Sequence, residues 1–193
     1  ALYTKWFVNF DFPNEEGKPY KSSGGEMIES ELGMIPKGWK VGIISDISEF
    51  INGYAFKSTT YIENGKYRIL TIKNVGDRKL ELKNNDSFVG SIPSNINQEQ
   101  ILQLGDLLIS LTGYTGRTCL YSENNSLLNQ RVSKIKSLDC MESFIYNLFS
   151  NQLIKDEIEK LSHGSSQKNV STKDIGNIKI VIPEDFNIFK EFD

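Results

Sequence analysis

Histidine is almost missing from this chain: 193 residues contain one, His163. A catalytic triad or a histidine-based metal centre cannot be assembled around a single imidazole without ligands from elsewhere. His163 follows an apolar-periodic stretch, where it reads as a helix C-terminal residue favoured by the dipole or as a partner contact. Cysteine is nearly as scarce. Cys119 and Cys140 are too few for a disulfide framework and lack the paired spacing of a zinc site. Both read as reduced, buried thiols of a cytoplasmic protein, so the sequons at Asn124 and Asn169 carry no weight. No apolar run approaches the roughly 20 residues of a membrane helix, and no charged-then-apolar leader opens the chain, so no membrane partner is expected. The start at Ala1 reads as the tail of a segment cut from a longer protein. Carboxylates are plentiful but scattered, and no pair stands in the apolar setting that tunes an acid against a base. Catalysis, a resident cofactor and a metal are therefore not expected. An unrecognised enzyme would need a deep pocket lined by convergent carboxylates.

An excess of positive charge is lacking too. The net charge is -3 and the sequence pI about 5.4, against the basic balance usual in nucleic-acid binders. The field that matters is local, however. Residues 105–136 carry Arg117, Arg131, Lys134 and Lys136 against Asp106 and Glu123, while acidic residues gather in 15–31 and 156–159.

What is present is an ordinary globular composition, 38% hydrophobic and 24% charged, in a length that suits one domain or one domain with appendages. Residues 1–12 are rich in aromatics and too short to bury them alone, so they must pack on the body or on a neighbour. Residues 13–25 form a polar connection with a turn around Gly17. The phrase ELGMIPKGW (31–39) excludes a long helix through Gly33 and Pro36 and brings in Trp39 as the first core anchor. From 41 to 135 come short apolar runs, clearest at 67–72, 107–111, 119–121 and 132–135. They are separated by turns at 52–53, 64–65, 75–77 and 123–126, a β-rich pattern. The period then changes. Phe144, Ile145, Leu148, Phe149, Leu153, Ile154, Ile158 and Leu161 fall at three-to-four spacing, which predicts one amphipathic helix over 141–161. Ser171 and Asp174 stand at capping-box spacing with Gly176 to end the turn, and Ile178, Ile180 and Ile182 alternate as a strand stopped by Pro183. Glu184 and Asp185 suit the first turn of a last helix. The fold class predicted is α+β.

Polar clusters interrupt this pattern. Gly113-Tyr114-Thr115-Gly116-Arg117 lies between two strand-like runs. Its glycines permit close backbone approach, Tyr114 can stack, and Arg117 can grip phosphate or guanine bidentately. It also reads as a glycine hairpin with an exposed arginine. It is not a P-loop, lacking the trailing Gly-Lys-Ser/Thr, and strands rather than helices flank it. Asn129-Gln130-Arg131 precedes the run at 132–135, as base readers or as polar residues satisfying a strand start. Residues 164–169, with Ser165, Gln167, Lys168 and Asn169, form a third cluster that suits a polar partner or a solvated connection.

ELGMIPKGW, GDLLISLTGYTGR, LNQRVSKI and GSSQKNVSTKDIGNIKIVIP, in this order, resemble the specificity (S) subunit of type I restriction-modification enzymes. The lead-in WFVNFDFP…GKPYKSSGGEM resembles the segment after the central conserved helix, so the chain is similar to a second target recognition domain. The resemblance implies a remnant of the central conserved region and linker at 1–38, a recognition domain at 39–183, and the start of a C-terminal conserved helix at 184–193. It implies a non-catalytic reader of double-stranded DNA that recognises one half of a bipartite target. Methyltransferase (M) subunits would methylate adenine N6 beside it and a restriction/translocase (R) subunit would cut. S-adenosylmethionine, Mg and ATP would belong to those partners. Variable stretches at 54–60, 73–79, 84–97 and 114–117 are where such a domain would hold its specificity. The candidate DNA-binding residues are thus Lys57, Lys73, Asn74, Tyr114, Thr115, Arg117, Arg131, Ser165, Gln167, Lys168 and Asn169. The alternative is an assembly module that docks a methyltransferase subunit through 164–169 without reading DNA.

Overall fold

The structure, a computed structural model, describes residues 2–139, 141–162 and 169–192. A short helical segment, Thr4–Val8, precedes a hairpin of β1 (Met27–Ser30) and β2 (Gly33–Pro36), then β3 (Trp39–Ile43) and β4 (Ser48–Asn52). There follow β5 (Tyr67–Leu70), β6 (Phe88–Val89), β7 (Leu107–Ser110), β8 (Thr118–Leu120), β9 (Ser126–Leu128) and β10 (Val132–Ser137). The chain closes with α1 (Glu142–Ser150), α2 (Gln152–Ser162), α3 (Thr172–Gly176), β11 (Lys179–Pro183) and α4 (Asn187–Phe192). The α+β class expected from the sequence is what is found.

The centre is a four-stranded antiparallel sheet in the order β4-β10-β7-β8. Every residue of β7 is buried, as is the first part of β10, which is why these strands read as unbroken apolar runs rather than as alternation. Their side chains serve two cores. Leu107, Ile109 and Ile135 face the helices, joining Phe144, Ile145, Phe149 and Ile158, whereas Leu108, Val132 and Cys119 face Leu70 and Leu128. A second sheet, β6-β5-β9, carries those last two leucines, and its outer face holds Phe56, Ile69, Val89 and Leu127. The β5–β9 pair is parallel. The layers are therefore helices, central sheet, small sheet. Burial pushes the Cys119 thiol up to about 12, with the charge of Glu81 adding to it.

The single helix expected over 141–161 is two. Asn151 takes an extended backbone, φ -74 and ψ 136, and its side-chain oxygen accepts the Leu153 N–H at 2.9 Å to cap α2. Apolar spacing is blind to this, because an asparagine that caps a new helix does not disturb the 3.6-residue period. The break turns Leu153 (64% exposed) and Leu161 (42%) to the surface. The turn at 171–176 forms as expected: Ser171 Oγ accepts the Asp174 N–H at 3.0 Å.

The opening aromatics pack on the body. Phe7 lies edge-on to Phe144 with centroids 4.6 Å apart and stacks on Phe189 of α4 at 5.7 Å, while Trp6 meets Phe192 at 5.8 Å. Next inward, β3 and β11 pair antiparallel, with Trp39 opposite Pro183 and Ile43 opposite Lys179. Tyr3, Phe7, Trp39, Phe144 and Phe189 share one core.

Candidate nucleic-acid interface

Strand direction brings the polar clusters to one place. Asn52 pairs with Ser133, Ser110 with Val132, Ile109 with Thr118, and Leu70 with Leu128. The chain thus leaves β4, β5, β7 and β9, and enters β8 and β10, at the same end of the β-body. The roots of the clusters are then hydrogen-bonded together. The Leu111 N–H donates to the Arg131 carbonyl at 2.9 Å, and the Val170 N–H donates to the Leu111 carbonyl at 3.0 Å. The Thr112 hydroxyl donates to Asn169 Oδ1 at 2.6 Å. Residues 113–117, 129–131 and 169 therefore converge, as a loop-based reader held by a sheet requires.

Residues 111–117 are a hairpin tip between β7 and β8. Gly113 and Gly116 hold φ of 76° and 78°, the left-handed region that a side chain resists. The Gly116 N–H donates to the Ser110 carbonyl at 2.9 Å, and Ser110 Oγ donates to the carbonyl of Tyr114. Tyr114 is 71% exposed, and the Arg117 guanidinium lies over its ring, 3.7 Å from the centroid. Such stacking fixes the plane of the guanidinium while leaving its donor edge open. Thr115 is half-buried beside them.

The other candidates separate. Lys57 is exposed at the start of the turn Ser58–Thr60, and Lys73 is exposed in the turn Ile72–Asn74 that follows β5. Ile72 Cδ1 lies 4.0 Å from where a Cβ on Gly113 would stand, which places that turn against the hairpin tip. Asn74 is corrected. It is 0% exposed, and its side chain accepts from the Thr71 N–H and hydroxyl and donates to the Glu81 carbonyl and Asp86. With both ends of its amide engaged it holds the 71–86 loop and cannot reach a base edge. Ser165, Gln167 and Lys168 lie outside the described residues.

The positive surplus of 105–136 is smaller than its sequence suggests. Lys136 bonds Glu49 at 2.9 Å and Glu99 at 3.0 Å, and Lys134 faces Asp106 at 3.4 Å. Arg117 and Arg131 remain, and both belong to the converging end. Arg78 lies in the variable stretch 73–79, but nothing in the sequence around it announces its role. Its N–H donates to the Thr118 carbonyl at 2.7 Å and its guanidinium to the Ser150 carbonyl at 3.3 Å. Beside it, a hydrogen bond from Lys155 holds the Asp77 carboxyl below the usual range, against desolvation, and the charges of Lys155, Arg78 and Arg117 add to the effect.

A groove of about 830 Å³ lies elsewhere, between the N-terminal segment, α1, α2 and β11. Its carboxylates do not converge on an open centre, since Asp156 bonds Gln152, Glu157 bonds Lys160 and Asp174 bonds Ser171. Among the described residues, no group of His, Cys, Asp and Glu could hold a metal ion, and no helix is long and apolar enough to cross a membrane.

The family described as "Type I restriction modification DNA specificity domain" matches residues 36–193. The chain belongs to this family. A curated relative of the specificity-domain family, the type I restriction enzyme MjaVIII specificity subunit of Methanocaldococcus jannaschii, is 29% identical over 163 residues. That alignment covers 80% of this chain and 38% of the relative. The HsdS subunit of Thermoanaerobacter tengcongensis superposes with a TM-score of 0.57 at 17% identity, over 100% of this chain and 42% of that one. The type I S subunit from M. genitalium gives a TM-score of 0.53 at 17% identity, over 77% and 35%. A chain from a structure describing complex assembly and conformational transition of the type I R-M system gives 0.59 at 18%, over 82% and 37%. These superpositions show the shared fold, and this specificity domain spans well under half the length of each relative.

Proposed function

We propose that this specificity domain reads the sequence of double-stranded DNA with the converging end of its β-body, recognising one half of a bipartite target. The observation that carries the reading is the joining of the 111–117 tip, the 129–131 turn and Asn169 at Leu111 and Thr112, with a half-buried Arg117 stacked on the exposed Tyr114 at the tip. Base edges in the major groove are distinguished by such donors, while phosphates are held by exposed cations such as Lys57 and Lys73. The domain itself performs no chemistry. Adenine N6 methylation and cleavage would fall to M and R subunits, which would bring S-adenosylmethionine, Mg and ATP. The groove that exposes Leu153 and Leu161 favours a second role, docking such a partner subunit, and the two roles occupy different surfaces.

Fluorescence-anisotropy titration with a pool of short duplexes over a salt series, followed by sequencing of the bound fraction, tests the reading. Steep salt dependence and an enriched motif of a few base pairs are expected. Arg117→Ala should cost about 1–3 kcal/mol of binding free energy, because removing the guanidinium leaves the Tyr114 ring without a donor beside it. Wild-type affinity in a folded Arg117→Ala protein would remove this residue from the interface. Absence of binding at low salt by the wild type would transfer the proposal to the docking role.

A further inference from the structure

Among the described residues, the non-glycine positions with left-handed backbone are Phe10 (φ 62°), Arg78 (58°), Asn125 (58°) and Arg131 (72°). A Cβ disfavours this conformation, so each needs a reason to persist. Phe10 has one in its ring, packed edge-on to Trp39 at 5.6 Å. Asn125 is of a residue type that tolerates the conformation. Arg78 has one in its guanidinium, which donates to the last carbonyl of α1. Arg131 differs. Its side chain is exposed and makes no hydrogen bond, ion pair or ring contact with the described residues. Its backbone, by contrast, is fixed from all sides. The Gln130 N–H donates to the Tyr54 carbonyl at 2.9 Å, the Val132 N–H to the Asn129 carbonyl at 3.2 Å, and the Leu111 N–H to the Arg131 carbonyl at 2.9 Å. Glycine would satisfy this turn without strain, yet an exposed arginine stands there, at the end where the 111–117 tip, the 129–131 turn and Asn169 meet.

Building on the DNA-reading proposal, we infer that Arg131 is a specificity-determining residue that reads a guanine in the major groove. A phosphate contact does not need a rigid origin, because phosphates run along the whole duplex and a flexible lysine reaches them. Bidentate donation to guanine O6 and N7 needs the planar fork and a fixed starting point. Arg131 has both: a guanidinium, and a backbone held by Tyr54, Asn129 and Leu111.

The test compares wild-type chain with Arg131→Gly, Arg131→Asn and Arg131→Lys by thermal unfolding and by selection and sequencing of bound duplexes. Glycine and asparagine accept the left-handed backbone, so their unfolding midpoints should equal or exceed the wild type. Their affinity for the best wild-type duplex should fall about ten-fold or more, and preference should vanish at one G·C pair while the rest of the motif stays. Lysine should retain the salt dependence without restoring that pair. An unchanged motif in the glycine and asparagine variants overturns the inference and leaves the DNA-reading proposal standing. Full restoration by lysine overturns it in favour of a phosphate contact, and lowered midpoints in both variants overturn it in favour of a structural role. A wild type that enriches no motif overturns the DNA-reading proposal and this inference together.

Discussion

An alanine at Gly53 is expected to destabilise the fold severely. A Cβ there would stand 2.0 Å from the Asn129 carbonyl oxygen, 2.2 Å from its carbon and 2.8 Å from the Gln130 nitrogen. All of these are backbone atoms, so no side chain can swing aside. Neither segment is free to retreat. Asn52 is in register with Ser133, and the Gly53 N–H donates to the Val132 carbonyl at 3.2 Å. On the other side, Tyr54 and Asn129 are bridged, and the Tyr54 N–H donates to the Leu128 carbonyl at 2.8 Å. Overpacking a core commonly costs about 1–3 kcal/mol, and a collision between two pinned backbones should reach at least the top of that range. Denaturant unfolding of Gly53→Ala measures it. A midpoint equal to the wild type would mean that the β4 end and the 129–131 turn lie farther apart in solution.

Phe7→Ala should be comparably damaging for a different reason. The Phe7 ring touches Phe144 of α1, Phe189 and Phe192 of α4, and Trp39 at the start of β3. Its removal leaves a cavity at the centre of an aromatic cluster whose other members are held by the backbone, so the site cannot collapse. Such truncations cost about 3–5 kcal/mol. Loss of near-UV circular dichroism and early proteolytic release of α4 should accompany the lower stability. A cost under about 1 kcal/mol would show that the N-terminal segment contributes little to the core.

Strands buried on both faces were the most legible part of this chain. Leu107, Leu108 and Ile109 are consecutive apolar residues because the central sheet is covered by helices on one side and by the small sheet on the other. The hairpin tip and the cap at Ser171 were legible because glycine and serine declare their geometry locally. What failed depended on contacts across the fold. Lys136 looked like free charge at 105–136, but the register of β10 on β4 sets it opposite Glu49, which is 87 positions away along the chain. Asn74 looked like a reader because nothing in its neighbours announces that the 71–86 loop closes over it. The left-handed backbone of Arg131 left no trace at all, since the residue type argues against it. Four phrases carried the family, but they could not say which side chains reach outward.

The pairing of β3 with β11 also determines how the domain would respond to force. Trp39 and Pro183 form the open end of a two-strand stem, and Ile43 and Lys179 the closed end, so residues 44–178 are one loop tied at its neck. A pull that separates the N-terminal segment from α4 first parts the Trp6–Phe192 and Phe7–Phe189 contacts, then opens the stem one rung at a time, like a zipper. The central sheet is bypassed by that load. Tension in the flanking segments is absorbed at the neck while the loops around Arg117 and Arg131 keep their arrangement.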